Sequence, residues 1–215
     1  MNLAAVALLP TQPETGPWFR TVDPRFLPNA MATGHTPAVP SRFYDPLSAS
    51  PPFRTLYLSD DPLAAQFEAQ ALFGSPTTPG GTVPGPRTAG VVIRARVLLS
   101  AVADLSDTRA QALLDTSAQE LTGDWTGYRQ RGATTPVRAP IGTAPTQALG
   151  EALWRDQRGL EGFLFVSARL AYHRNLVVFP EALGAGSFVE YAWDDTTGTA
   201  RRFRIDATDP DGRLV

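Results

Sequence analysis

Proline and glycine break this chain into short pieces. The 20 prolines and 18 glycines lie in 215 residues, and one run, Gly74-Ser-Pro-Thr-Thr-Pro-Gly-Gly-Thr-Val-Pro-Gly-Pro86, excludes a helix or a central strand. Proline has no amide proton to donate, and glycine loses the most entropy on ordering. A mobile surface loop is expected there, and further proline-rich loops elsewhere. The chain must therefore fold from short elements, and their hydrophobic periods identify them.

Trp18–Val22 and Thr55–Ser59 are rich in aromatic and β-favouring residues and read as strands. Asp61 is placed to cap a helix that begins with Pro62. Leu63, Phe67 and Ala71 then recur every four residues, so that helix is expected to reach about Phe73. Val91–Leu98 alternates as a half-exposed strand, with Val102–Leu105 continuing it or lying beside it. Thr108–Leu121 and Thr146–Gln157 are expected helices. Gly162–Val166, Leu176–Phe179, Phe188–Trp193 and Arg201–Ile205 are expected strands, the last two forming a hairpin across Asp195–Gly198. Strands flank helices without regular βαβ alternation, so the class is α+β.

At 43% hydrophobic the chain can bury one sizeable core. One domain, 1–215, is expected. Its core spans about 18–180, with a loose N-terminal arm or first strand at 1–16 and a C-terminal β-hairpin extension at 181–215. A net charge of -2 leaves no basic footprint for a nucleic-acid backbone. The apolar run Leu3–Pro10 is far too short to span a membrane, so neither partner is expected and the protein is placed in the cytoplasm.

All 19 basic residues are arginine. Without lysine the chain can form neither a Schiff base nor the lysine contact of a P-loop. Without cysteine it has no thiol nucleophile. His35 and His173 are its only histidines, too few for a multi-histidine metal centre, and no metal is expected. Gly184-Ala-Gly186 lacks the third glycine of a dinucleotide fingerprint and reads as a turn.

The pieces that remain occur in a particular order. They are Trp18-Phe19-Arg20-Thr21-Val22, Ser41-Arg42-Phe43-Tyr44, and Thr55 to Glu68, where Tyr57-Leu58-Ser59 leads into the glutamate-bearing helix. Gly123-Asp124-Trp125, Thr146-Gln147-Ala148-Leu149-Gly150, Gly162 to Arg169 with Ser167, and Asn175 to Phe179 complete the series. This order resembles the RES domain, a family named for an arginine, a glutamate and a serine. The resemblance implies a fold similar to ADP-ribosyltransferases, with mixed β-sheets around an NAD cleft and flanking helices. It implies destruction of NAD as substrate rather than use of a cofactor, with water or inorganic phosphate as co-substrate, or transfer of ADP-ribose to a protein. It also implies an antitoxin partner with a helix-turn-helix domain of the Xre type.

Read alone, Arg20 and Arg42 are surface arginines. The resemblance makes them a phosphate clamp, whose planar forks match pairs of phosphate oxygens. Tyr57 leaves its strand opposite Leu56 and Leu58, so one face is expected to be core and the other cleft. By resemblance its ring stacks on nicotinamide. Glu68 sits about 100° around the helix from Phe67, at the edge of the buried stripe, and the resemblance makes it the catalytic carboxylate. Ser167 closes an apolar strand, and by resemblance its hydroxyl orients the ligand, since no histidine or lysine base is expected beside it. Arg169 either adds phosphate affinity or pairs with a carboxylate. Phe43 stands where the family often has tryptophan, and Ser48-Ala-Ser-Pro-Pro52 is extra. Both features are expected to bear on the pocket's outer wall.

Overall fold

The computed structural model describes residues 1–74, 81–85, 90–130 and 142–215. Strand β1 (Thr11–Val22) is followed by β2 (Leu56–Ser59), helix α1 (Pro62–Glu68) and the short β3 (Leu72–Gly74) and β4 (Thr82–Pro84). The long β5 (Val91–Asp104) leads into α2 (Thr108–Leu113), α3 (Ala118–Thr122), α4 (Gly127–Gln130) and α5 (Pro145–Trp154). Strands β6 (Gly162–Val166), β7 (Arg174–Val178), β8 (Phe188–Asp194), β9 (Ala200–Asp206) and β10 (Asp209–Leu214) complete the chain.

Eight strands form one mixed sheet in the order β1-β2-β7-β6-β5-β8-β9-β10. Among the described residues, only β5 and β6 pair in parallel. Because β1 also pairs with β5 along most of its length, the strands β1, β2, β7, β6 and β5 close into a ring. Closure between β1 and β2 rests on a single register pair, Phe19 with Ser59. The remaining pair, β3 with β4, stands apart as a two-stranded ribbon.

Both faces of the central strands are apolar, as in a strand buried on two sides. Leu56, Leu58, Leu164, Leu176 and Val178 join one core cluster with Trp18, Ile93 and Val97. The alternating residues Phe163, Phe165 and Val177 turn to a second cluster, with Tyr57 packed against it. Leu121 of α3 and Leu149 and Leu153 of α5 cover that second face. The β2 face that carries Leu56 and Leu58 is fully buried, whereas Tyr57 on the opposite face packs against the second cluster and stays half-buried.

Several boundaries also differ, for local reasons. Helix α1 stops at Glu68, short of Phe73, because Gln70 takes a left-handed conformation (φ 59°). The amides of Ala71 and Gln70 return to the carbonyls of Gln66 and Phe67, which closes the helix end. The helix expected over Thr108–Leu121 is two helices, divided at Asp115 (φ 48°), after which Ser117 caps α3 by accepting from the Glu120 amide. The N-terminal residues do not form a loose arm. A 3-10 helix, Leu3–Leu8, buries Ala5 and Val6, and β1 begins at Thr11. The C-terminal extension adds a third strand, β10, to the expected hairpin. Of the surface loop expected at 74–86, residues 75–80 and 86 lie outside the described residues. Thr82–Pro84 is strand β4.

Candidate active site

Helix α1 begins where Asp61 accepts from the amides of Leu63 and Ala64, and it buries Ala64, Ala65 and Phe67 while leaving Glu68 half-buried at its last turn. Two donors converge on one oxygen of Glu68. Ser167 Oγ donates to Oε1 at 2.6 Å, and Asn175 Nδ2 donates to the same atom at 2.7 Å. The Ser167 hydroxyl in turn accepts from the amides of Arg169 and Leu170 at 3.2 and 3.0 Å. Asn175 Oδ1 accepts from Ser59 Oγ at 2.7 Å.

Beside this carboxylate lies the turn that carries Arg42. Its backbone closes on itself through a bridge between Ser41 and Tyr44, and α5 holds it in place. Gln147, 2% exposed, donates through Nε2 to the carbonyls of Ser41 and Tyr44 at 2.9 and 3.2 Å. One turn further along α5, a Cβ on Gly150 would stand 1.9 Å from the Phe43 carbonyl oxygen. Glycine alone permits this approach. Tyr57 adds a third tie, since its hydroxyl meets Ser41 Oγ at 2.8 Å and accepts from the Phe43 amide at 3.2 Å. Burial pushes the Tyr57 phenol up to about 12, so it remains a neutral hydrogen-bonding group at neutral pH.

Arg42 points away from the turn into a partly polar neighbourhood. Its NH1 donates to the carbonyls of Leu121 and Gly123 at 3.1 and 2.5 Å, at the C-terminal end of α3. Burial pulls its pKa down, and the Glu68 carboxylate pushes it back up. Tyr57 and Asp124 act on it in the same direction as Glu68, and Arg169 opposes them. Glu68, Tyr57, Arg42, Arg169 and Asp124 thus share one electrostatic environment.

Arg20 is joined to this cluster differently. Where β1 and β2 diverge beyond their single pair, its NH1 donates to the Tyr57 carbonyl at 3.1 Å. The residue is half-buried as a whole, but its Nε is sealed from solvent with no hydrogen-bond partner. Burial alone brings its pKa down to about 10. The two arginines expected to form one clamp therefore occupy distinct settings, one tied to carbonyls near Glu68 and the other enclosed at the fork between strands.

Phe43, Ser167 and four further polar residues complete the surroundings of the site. Phe43 is not an outer pocket wall. It is fully buried, with edge-on ring contacts of 4.8 Å to Phe163 and Phe165. The Ser167 amide donates to the His173 carbonyl at 2.8 Å. The His173 imidazole meets Asp60 at 3.0 Å, while the serine hydroxyl turns to Glu68. Ser41, Ser59, Gln147 and Asn175 were not expected to shape the site. The position of Ser59 two residues after Tyr57 puts both side chains on one face of β2, and Asn175 is a polar residue heading an apolar strand. A separate groove of about 530 Å³, lined by residues including Arg94, Arg96, Glu190 and Arg202, contains none of the site residues.

The chain matches the family model for the RES domain over residues 17–203. Among solved structures it is similar to a chain in the crystal structure of the M. tuberculosis MbcT-MbcA toxin-antitoxin complex, with 18% identity and a TM-score of 0.53. That similarity covers 82% of this chain and 80% of the other. No curated protein matches the chain.

Proposed function

This chain belongs to the RES domain family, and on that premise we propose that it is the toxin of a toxin–antitoxin pair and depletes NAD by breaking the bond between nicotinamide and ribose. The observation that carries this reading is the presentation of Glu68. One oxygen of its carboxylate is held by Ser167 and Asn175, and neither donor engages the other.

NAD suits such a site because its leaving group needs no proton. The nicotinamide ring is cationic while bonded to ribose, and it departs neutral when the bonding electron pair returns to its nitrogen. Glycoside hydrolysis ordinarily requires a second carboxyl as general acid. Here one carboxylate suffices, because Oε2 can accept from the ribose and stabilise the positive charge that develops on the sugar. A water or phosphate oxygen then bonds to the anomeric carbon. Attack by water releases a proton and yields ADP-ribose, whereas attack by phosphate yields the 1-phosphorylated product.

The arginines supply the anion contacts that a lysine-free chain needs. Arg20, half-buried and with NH1 held by the Tyr57 carbonyl, would offer its other terminal nitrogen to an oxygen of the pyrophosphate. Arg42 keeps further guanidinium donors beyond the nitrogen committed to α3. Tyr57 is tied through its hydroxyl, which leaves its ring as the part that could meet nicotinamide. The fold is read as ADP-ribosyltransferase-like, with the ligand seated where β1 and β2 part.

A solved structure of similar fold is a toxin–antitoxin complex, and the partner proposed here is an Xre-type helix-turn-helix antitoxin. That partner would carry any DNA binding. No helix among the described residues is long and apolar enough to cross a membrane, and the cytoplasm, where NAD is abundant, is the proposed location. Incubating the purified protein with NAD, with and without inorganic phosphate, and identifying products by mass spectrometry tests the reading. Free nicotinamide with ADP-ribose or its phosphate is expected. ADP-ribose attached to a protein would redirect the assignment to a transferase, and NAD left intact would overturn it.

A further inference from the structure

Asn175 is 3% exposed in a strand whose other buried side chains, Leu176, Val177 and Val178, are apolar. A primary amide in such a place is costly unless its donors and acceptor are matched. Two partners match it, Ser59 on the neighbouring strand and Glu68 on α1. Ser59 and Asn175 are directly opposed in the β2–β7 register, so the sheet itself fixes that contact.

The proton directions in this arrangement follow from chemistry. An ionised carboxylate has no proton to give, so the NH2 end of Asn175 must face Glu68 and the carbonyl end must face Ser59. Ser59 must then donate. On the other side, the amides of Arg169 and Leu170 donate to Ser167 Oγ, which leaves its proton for Glu68. Two one-way relays therefore end on Oε1, and the carboxylate cannot exchange its oxygens without breaking both.

Building on the proposed NAD cleavage, we propose that Asn175, oriented by Ser59, is a positioning residue that locks Glu68 so that Oε2 is the oxygen available to the substrate. It acts through Glu68 and touches no substrate itself. Its contribution belongs to the chemical step and not to NAD binding, because the orientation of Oε2 matters most when charge develops on the ribose.

Asn175→Asp in the full-length protein provides the test, with NAD consumption measured from about pH 8 to pH 5. Burial and the neighbouring Glu68 both favour a proton on the introduced carboxyl, so the loss should be greatest at the alkaline end of the range, where it ionises and has nothing to donate: kcat should fall there by about 100-fold, the scale of a lost positioned group, while KM for NAD stays within about twofold. Relative to wild type at each pH, the variant should recover as pH falls, because a protonated carboxyl again donates. Ser59→Ala, which removes only the orienting hydroxyl, should lose less than Asn175→Asp. A kcat near wild type, a deficit constant across pH, or an effect confined to KM would overturn the proposal. Should Asn175→Asp fail to fold, Asn175→Ala keeps it open to refutation, since retained kcat there refutes it equally. A wild-type protein inert towards NAD would count against the reaction and not the tie. Crystal structures of wild type and Asn175→Ala then decide, the proposal failing if the Glu68 side chain keeps its position in the variant.

Discussion

Glutamine at position 68 would preserve nearly everything about that side chain except its charge. Its amide oxygen can accept from Ser167 and Asn175 as Oε1 does, placing an NH2 group where Oε2 stood. Folding and ground-state contacts should survive, and the negative charge facing the ribose would be gone. Glu68→Gln is therefore expected to bind NAD with little change, measured by calorimetry, and to lose roughly two orders of magnitude or more in turnover. A folded variant that consumes NAD near the wild-type rate would make Glu68 an ordinary helix glutamate. The side on which Glu68 emerges was legible in the sequence, because Asp61, Pro62 and Phe67 fix the helix register, whereas the role proposed for it comes from the family resemblance and not from the residue pattern. The contacts of Ser59 and Asn175 were not legible, because their partners lie 116 and 107 positions away along the chain and only sheet registration brings them together.

Among the elements, α5 and the Ser41–Tyr44 turn behave as a single unit, since Gly150 lets the helix touch the Phe43 backbone and Gln147 binds both ends of the turn. A methyl group at position 150 cannot be accommodated without moving one against the other. Gly150→Ala should destabilise the fold by about 1–3 kcal/mol, as overpacking does, which for a domain of this size lowers Tm by roughly 2–10 °C. It should also weaken NAD affinity by displacing Arg42. An unchanged melting curve would show that the turn yields freely. Strands such as β6 and β7 were readable because apolar residues run unbroken through them. The breaks at Gln70 and Asp115 were not, because left-handed residues other than glycine leave little mark on a hydrophobic pattern. Strand β10 was hidden for the opposite reason, since Asp209-Pro-Asp-Gly212 reads as a turn. At its base, Thr208 above all, with the guanidinium groups of Arg204 and Arg213, holds the Asp206 carboxyl well below the usual carboxylate range. A depressed folded pKa contributes stability above the unfolded value of about 4, and that stability is lost as pH falls through the folded one. Acidification below about pH 4 should then reduce amide protection in β9 and β10 before β6 and β7, as hydrogen exchange would show.

For the molecule as a whole, the ring of strands has one weak seam. β1 is zipped to β5 over most of its length but meets β2 at one pair, and the position just beyond is filled by Arg20, whose charged end donates to the Tyr57 carbonyl. The arrangement is unfavourable for the empty protein. Burial has lowered the guanidinium pKa to about 10, so at neutral pH the cost of enclosing a charge is fully present and is relieved only as pH rises above that value. The Tyr57 carbonyl offsets only part of that cost, whereas an anionic ligand would offset more. Arg20→Met, similar in reach but uncharged, should accordingly leave the melting temperature of the empty protein unchanged or raise it. The same change should remove most of the stabilisation that NAD confers, because a ligand stabilises the folded state only in proportion to its affinity. Thermal melts of both proteins, with and without NAD and under conditions where turnover is blocked by Glu68→Gln, separate the two effects. A variant that is destabilised when empty and still responds fully to NAD would make Arg20 a structural fastener of the β1–β2 seam and would take the phosphate contact away from it.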